Sequence, residues 1–373
     1  MVTGRHPIIP RGEYPKRWRA VQRMMAEEGY DLVATFSDDK ATAGAAHARY
    51  LTGFPPHFEA VCTLIPPEGT PHLLTGPESA EYARIHGAVD DIHVLKEFTH
   101  PDEDYPYATI HGFREIVEKI VDRGKVKKIG VGGGEAVGWR VFNAIKEAVP
   151  DAEWLDAEAK ISGLRGIKTA PEIAVIREAY KIAEEGMDAA LAAVAPGVTE
   201  RDVAAEAEHA MRMAGSEGVG IDTIVASGQN NKPILARTTR RRIGRDDLVL
   251  ITVAPRYEGY HGAIGRPVVV GHPGRDVESA VEAANTAQRE CRSALRPGVE
   301  GARVEAIGRR IMSEAGLGAN FLYSGIHSVG VVEFEPPIFG PGSRGEIREN
   351  MVLSVDIPVF NTPWGGLRVE DGY

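Results

Sequence analysis

Pro196-Gly197-Val198-Thr199 and Pro297-Gly298-Val299-Glu300 are the stretches whose reading decides the fold. Each stops a long helical pattern, over 171–194 in the first case and 274–295 in the second. Each then starts a shorter helical pattern, over 199–214 and 301–315. Pro cannot continue a helix, and Gly adopts the left-handed conformation that ends one. Segments rich in Val and Ile and broken by Gly follow both, at 221–227 and 248–270 and again at 323–373, and read as hairpin strands. The chain therefore carries an internal repeat of roughly a hundred residues. It predicts two αβ halves packed as a pseudo-symmetric pair, with a site where they meet.

Upstream of the repeat the pattern changes. Charged residues interleaved with Trp18, Val21, Met24 and Met25 predict a helix over 13–29. Strands are expected at 31–36, 60–65, 72–75 and 128–131, and helices at 77–87, 108–123 and 138–149. This alternation predicts an α/β domain. Gly132-Gly133-Gly134 invites a phosphate-loop reading, but it lacks GxGxxG spacing and no Lys-Ser/Thr follows. A strand-to-helix turn is the expectation. Residues 151–168 join the halves, and Pro171 with Glu172 marks the start of the long helix.

The 373 residues are 43% hydrophobic and 26% charged, which reads as an ordinary globular chain with two or three domains' worth of core. A net charge of −10 argues against a nucleic-acid partner, which needs a basic footprint. Arg237, Arg240, Arg241, Arg242 and Arg245 form the one basic run, read as a solvated turn or as a grip for an anionic substrate or acidic partner. Cys62 and Cys291 cannot make a disulfide framework, so a reducing compartment is expected. No apolar run at the N-terminus reads as a signal peptide, and no stretch is long enough to span a membrane. The expectation is a cytoplasmic protein with no membrane partner.

Taken in order, a series of motifs resembles the aminopeptidase P, prolidase and creatinase family. The motifs are Arg49-Tyr50-Leu51-Thr52-Gly53-Phe54, Leu164-Arg165-Gly166-Ile167-Lys168, Pro171-Glu172-Ile173 and Ile224-Val225-Ala226-Ser227-Gly228. Gly325-Ile326-His327, Glu335-Pro336-Pro337 and Gly366-Leu367-Arg368-Val369-Glu370-Asp371 complete it. The resemblance implies an α/β (α+β) fold, with a creatinase-like N-terminal domain over 1–160 and a pita-bread catalytic domain over 163–373. It also implies a homodimer.

Metal-dependent members bind two ions with two Asp, one His and two acidic residues. Here the resemblance places Thr252 and Ala263 at the Asp positions, and no Asp occurs from 248 to 275. The metal His corresponds to His327 and the acidic pair to Asp356 and Glu370. A further upstream His would fall near Ile234 and Leu235, and no His lies between His209 and His261. Two neighbouring divalent ions need bridging carboxylates to offset their repulsion, so no paired centre is expected. Creatinase works without metal, but its hairpin acid would fall near Gly265, so this chain does not resemble creatinase in detail.

Three readings of the remaining groups stay open. One divalent ion, Mn, Zn or Fe, is held by His327, Asp356 and Glu370. Or no cofactor is needed, and His327 acts as general acid–base with Glu370 and nearby Glu335. Or the groups only satisfy one another in a silent binding module. His261, on the strand face of Ala263, is a further catalytic candidate. Arg266 and Arg368 are expected to anchor substrate, since guanidinium grips carboxylate in two-point fashion. Phe54, Phe58 and Trp364 are candidate pocket walls. The expectation is a creatinase-like hydrolase cleaving a C–N bond of a small molecule or short peptide without a dinuclear metal site.

Overall fold

A computed structural model describes residues 6–40 and 43–373. The chain forms two compact units, Ile9–Arg165 and Gly166–Tyr373, and the described residues before Ile9 group with the second. The first unit carries α1 (Tyr14–Glu28), β1 (Leu32–Ser37), α2 (Ala46–Thr52), β2 (Val61–Ile65), β3 (His72–Thr75), α3 (Ala80–His86) and β4 (Ile92–Leu95). It continues with β5 (Ile110–His111), α4 (Phe113–Ile120), β6 (Lys128–Gly132), α5 (Trp139–Ala148), β7 (Glu153–Asp156) and α6 (Glu158–Gly163). Its strands make one mixed sheet in the order β5-β4-β3-β2-β1-β6-β7. Leu32, Phe36, Leu64, Leu74 and Ile129 are fully buried in its core, each contributing about 1.5–3 kcal/mol over exposure.

The expected helix over 108–123 starts later, because Ile110–His111 pairs with β4 as a short edge strand. The Gly132–Gly134 turn is structural. A Cβ at Gly133 would lie 2.0 Å from the Phe36 carbonyl oxygen, and its φ of 66° suits Gly. The Gly133 N–H donates to Glu158 Oε2 at 2.7 Å, so a carboxylate of the chain itself takes the place an anion would need.

The second unit opens with α7 (Ala170–Ala193) and α8 (Glu200–Met213). Glu172 closes the capping box of α7 by accepting from the Thr169 N–H. Then come β8 (Gly218–Val219), β9 (Ile224–Ser227), β10 (Leu248–Val253), β11 (Pro255–Tyr257), β12 (Tyr260–His261) and β13 (Ile264–Val269). After α9 (Arg275–Ala294) and α10 (Gly301–Glu314) follow β14 (Ile326–Ser328), β15 (Glu335–Phe339), β16 (Leu353–Thr362) and β17 (Gly365–Gly372). The main sheet runs β15-β14-β16-β17-β13-β10-β9, so the strands of the two halves meet where β17 pairs with β13.

The repeat is visible in individual hydrogen bonds. The Gly197 N–H donates to the Ile243 carbonyl at 2.8 Å, and the Gly298 N–H donates to the Ile347 carbonyl at 2.9 Å. Ile243 and Ile347 return the bond to Val198 and Val299. Glu200 and Gly301 then donate to Arg241 and Gly345. Each Pro-Gly stop thus ties its helix pair to the segment that feeds the next sheet strand. The basic run lies in the first of these segments and is partly consumed there. Arg241 binds Asp247 through both guanidinium nitrogens, Arg242 donates to the Gly197 carbonyl, and Arg237 pairs with Asp222.

Gly197 and Gly298 have φ of 90° and 86°, with open space around each Cβ position. Replacing either with Ala therefore adds only backbone strain, at about 1–2 kcal/mol. Denaturant unfolding of Gly197→Ala, Gly298→Ala and the double variant is expected to show two similar losses that add. A neutral result at both would mean that the turns are not held in this conformation.

Candidate active site

Sheet register builds the site. Thr252, Gly265, Glu370 and Asp356 stand side by side across β10, β13, β17 and β16. The row is acidic only in its second half. Ser354 and Asp356 share a face of β16, and Arg368 and Glu370 share a face of β17, because side chains alternate along a strand. β14 brings His327 opposite Ser354. His327, Asp356 and Glu370 are each at most 2% exposed.

Gly265 leaves room for Arg368, whose Cδ would lie 2.8 Å from a Cβ there. The Arg368 guanidinium reaches three groups. Its Nη2 donates to Tyr323 Oη at 2.5 Å, and its Nη1 lies 3.5 Å from Thr252 Oγ1. Its Nε lies 3.2 Å from Asp356 Oδ2, close enough for an ion pair but not aligned as a hydrogen bond. The Tyr323 hydroxyl donates to the same Asp356 oxygen. Burial raises the Asp356 carboxyl to about 7, Arg368 opposes this, and Glu370 adds to it.

Glu370 Oε1 accepts from Ser354 Oγ at 2.9 Å. The same oxygen lies 3.8 Å from His327 Nε2. His327 Nδ1 lies 3.2 Å from the Ser328 carbonyl, which can only accept, so Nδ1 carries a hydrogen. Burial pushes the His327 pKa down, opposed by Glu370, and the Phe334 ring lies tilted at 4.2 Å from the imidazole.

Glu333, absent from the sequence expectations, completes this group. Ligand atoms of His327, Glu333 and Glu370 all lie within 4.8 Å of one another. Glu333 is 8% exposed, and burial, then Glu370, lifts its carboxyl to about 8. Glu335 goes elsewhere. It pairs with Lys168 at 3.0 Å, both side chains 1% exposed, and Lys168 also donates to Ser328 Oγ. This correction has a plain cause, since a buried carboxylate takes the nearest buried cation.

The other expected residues divide. His261 is fixed by its Nδ1 to the Gly330 carbonyl at 3.1 Å, and its buried Nε2 has no hydrogen-bond partner among the described residues. Burial lowers its pKa to about 4. Arg266 donates to the Glu370 and Gly265 carbonyls and pairs with Asp371 at 2.6 Å, so it braces β13 against β17. Arg368 likewise spends its donors inside the site. Trp364 packs on the core at the β16–β17 turn. Phe54 and Phe58 belong to the first unit, where Phe54 is buried beside Tyr82 and Phe58 is 71% exposed.

A two-ion centre does not fit these residues. Thr252 on β10, Gly265 on β13 and Ala263 just before β13 offer no carboxylate, and Arg368 already puts a positive charge beside Thr252. One ion fits the donor set of His327, Glu333 and Glu370.

Removing Glu335 would break the buried ion pair with Lys168. Glu335→Ala is expected to cost about 3–5 kcal/mol in denaturant unfolding, far more than a surface change. A loss below about 1 kcal/mol would mean that the pair is not buried in solution. His261 gives a pH signature. Its folded pKa lies below the unfolded value, so the unfolded chain takes the proton first, and stability falls as pH drops from about 6.5 to 4. The expected loss between pH 7 and 4.5 is about 2–3 kcal/mol greater in wild type than in His261→Gln. Equal losses would show that His261 titrates normally.

Residues 174–373 match Metallopeptidase family M24, and residues 17–167 match the Creatinase/Prolidase N-terminal domain. An Xaa-Pro dipeptidase of Pyrococcus furiosus is 30% identical over 80% of this chain and 85% of its own length. Among solved structures, the prolidase from Pyrococcus horikoshii superposes with a TM-score of 0.82 at 25% identity, covering 96% of this chain and 94% of that one. The X-Pro aminopeptidase from Thermotoga maritima gives 0.78 at 25% identity, covering 95% and 93%. The expected creatinase-like domain and pita-bread domain are both present. The expectation of no cofactor finds no support in a metallopeptidase family, whereas a single ion is compatible with it. By these matches, together with its fold, the chain belongs to metallopeptidase family M24, within the aminopeptidase P, prolidase and creatinase group of hydrolases acting on C–N bonds.

Proposed function

We propose that this protein hydrolyses a C–N bond of a short peptide or amide-like small molecule at His327, Glu333 and Glu370, without a dinuclear metal centre. The observation that carries the reading is the convergence of these three buried groups beside a fixed cation, Arg368. A bound divalent ion would polarise the substrate carbonyl and acidify water there. The chain's own groups would do the rest. Ser354 fixes the Glu370 carboxylate through its hydroxyl, and the Ser328 carbonyl fixes the His327 ring. A water oxygen attacks the carbonyl carbon, the cluster's carboxylates take its proton, and the C–N bond breaks as that proton passes to the leaving nitrogen. Arg368, Asp356 and Tyr323 brace one another and hold the site's geometry.

Short peptides are favoured as substrates because the curated relative is an Xaa-Pro dipeptidase. The proposal includes a homodimer in the cytoplasm, in line with the sequence resemblance, and no nucleic-acid partner. No helix among the described residues is long and apolar enough to cross a membrane.

His327→Ala and Glu370→Gln are each expected to lower turnover of a cleaved Xaa-Pro dipeptide or small amide by at least about a hundredfold, with circular dichroism unchanged. Full turnover in both folded variants would sink this assignment.

A further inference from the structure

We infer that this chain binds one divalent first-row ion through His327 Nε2, Glu333 and Glu370, and that Glu333, not Asp356, is the third ligand. The inference deepens the hydrolase reading and rests on it for its purpose, but its geometry stands alone.

Three observations carry it. The first is the imidazole. With Nδ1–H donated to the Ser328 carbonyl, Nε2 of the neutral ring presents a lone pair. It faces Glu370 Oε1 at 3.8 Å, another acceptor. A doubly protonated ring would close to a charge-assisted bond of about 2.8 Å. Two ligands about 2.1 Å from one tetrahedral ion stand about 3.4 Å apart, so this spacing suits a shared ion and not a hydrogen bond. The carbonyl contact on Nδ1 is also the support that metal-bound imidazoles use.

The second observation is Glu333. It is more than nine-tenths buried, and among the described residues no hydrogen bond or ion pair holds it, although its oxygen lies within 4.8 Å of the other two ligand atoms. An ionised carboxylate left that way is costly unless a cation meets it. Glu333 sits in the segment 329–334, framed by Lys168 through Ser328 Oγ and Glu335.

The third observation removes the competitor. Asp356 Oδ2 is taken by Tyr323 and Arg368, and its Oδ1, buried without a hydrogen-bond partner among the described residues, does not join His327 and Glu370 within 4.8 Å as Glu333 does. A second positive charge next to that guanidinium would be repelled, and Asp356 is thereby withdrawn from ion binding. One nitrogen and two carboxylates then leave positions open for water and substrate, the arrangement of a catalytic ion.

The test uses full-length protein stripped by chelator and dialysed. Zn2+ and Mn2+ are titrated separately by calorimetry, with elemental analysis of the loaded protein. We expect one equivalent per chain. Glu333→Gln should weaken binding by more than the roughly hundredfold that loss of an outer-sphere partner can cause. Asp356→Asn should still bind one equivalent, and Thr252→Ala and His93→Gln, the last a control for the His72–His93 pair of the first unit, should bind as wild type does. Circular dichroism confirms that each variant is folded, and Thr252→Ala keeps the comparison open if Asp356→Asn does not fold. Two equivalents, none, or unchanged binding in folded Glu333→Gln would each overturn the inference. So would loss in His93→Gln, or loss in folded Asp356→Asn with Glu333→Gln intact. One equivalent bound through Glu333 without turnover of any amide or dipeptide would uphold the ion site and sink the hydrolase.

Discussion

The constraint on which this site depends is the surplus of buried negative charge in one corner of an apolar sheet. Asp356, Glu370 and Glu333 lie within a few residues' reach of one another, with a single guanidinium, Arg368, among them. Desolvated carboxylates raise one another's pKa, and Glu333 and Asp356 both show it. Arg368 offsets one charge and cannot offset three. Such a corner persists only if protons or a cation share it, which is why the site reads as functional instead of residual.

The same constraint explains the uneven use of a symmetric scaffold. The two helix pairs and their Pro-Gly stops repeat bond for bond, and the sheet row runs through the join of the halves. Yet the first half contributes only Thr252 and Gly265, while the second contributes Glu370 and Asp356. A symmetric pair of carboxylates would demand two ions. With one half made neutral and small, Arg368 crosses over Gly265 toward Thr252 and supplies a permanent charge there.

Much of the fold was legible because its signals are local. Pro-Gly stops end helices wherever they occur, and two-residue spacing puts Arg368 and Glu370 on one strand face. The placement of His327, Asp356 and Glu370 also followed from the order of motifs. Glu335 and Glu333 were not separable in this way. Glu333 lies in the turn between β14 and β15 and Glu335 opens β15, where the pairing shifts between His327 and Ser328. Two-residue spacing would put both on one face of a regular strand, and only the irregular segment sends them to different partners. The partner that claims Glu335, Lys168, is 167 residues away in sequence. Arg266 is ambiguous for a related reason, since a guanidinium that braces two strands and one that grips a ligand look the same in a motif.

The choice between a mobile cation and a fixed one also bears on how such a site changes its chemistry. A guanidinium cannot acidify water as a metal ion does, but it holds geometry without needing to be supplied. By pairing with Asp356, Arg368 takes one acidic position of the family pattern out of ion binding and keeps its carboxylate as part of the wall. Glu333 then stands where a mobile cation still has a reason to come, opposite an imidazole whose other nitrogen is already held. The site has thus divided its negative charge between a permanent partner and an exchangeable one, and the position of Glu333 two residues before the Lys168-bound Glu335 is what makes the division possible.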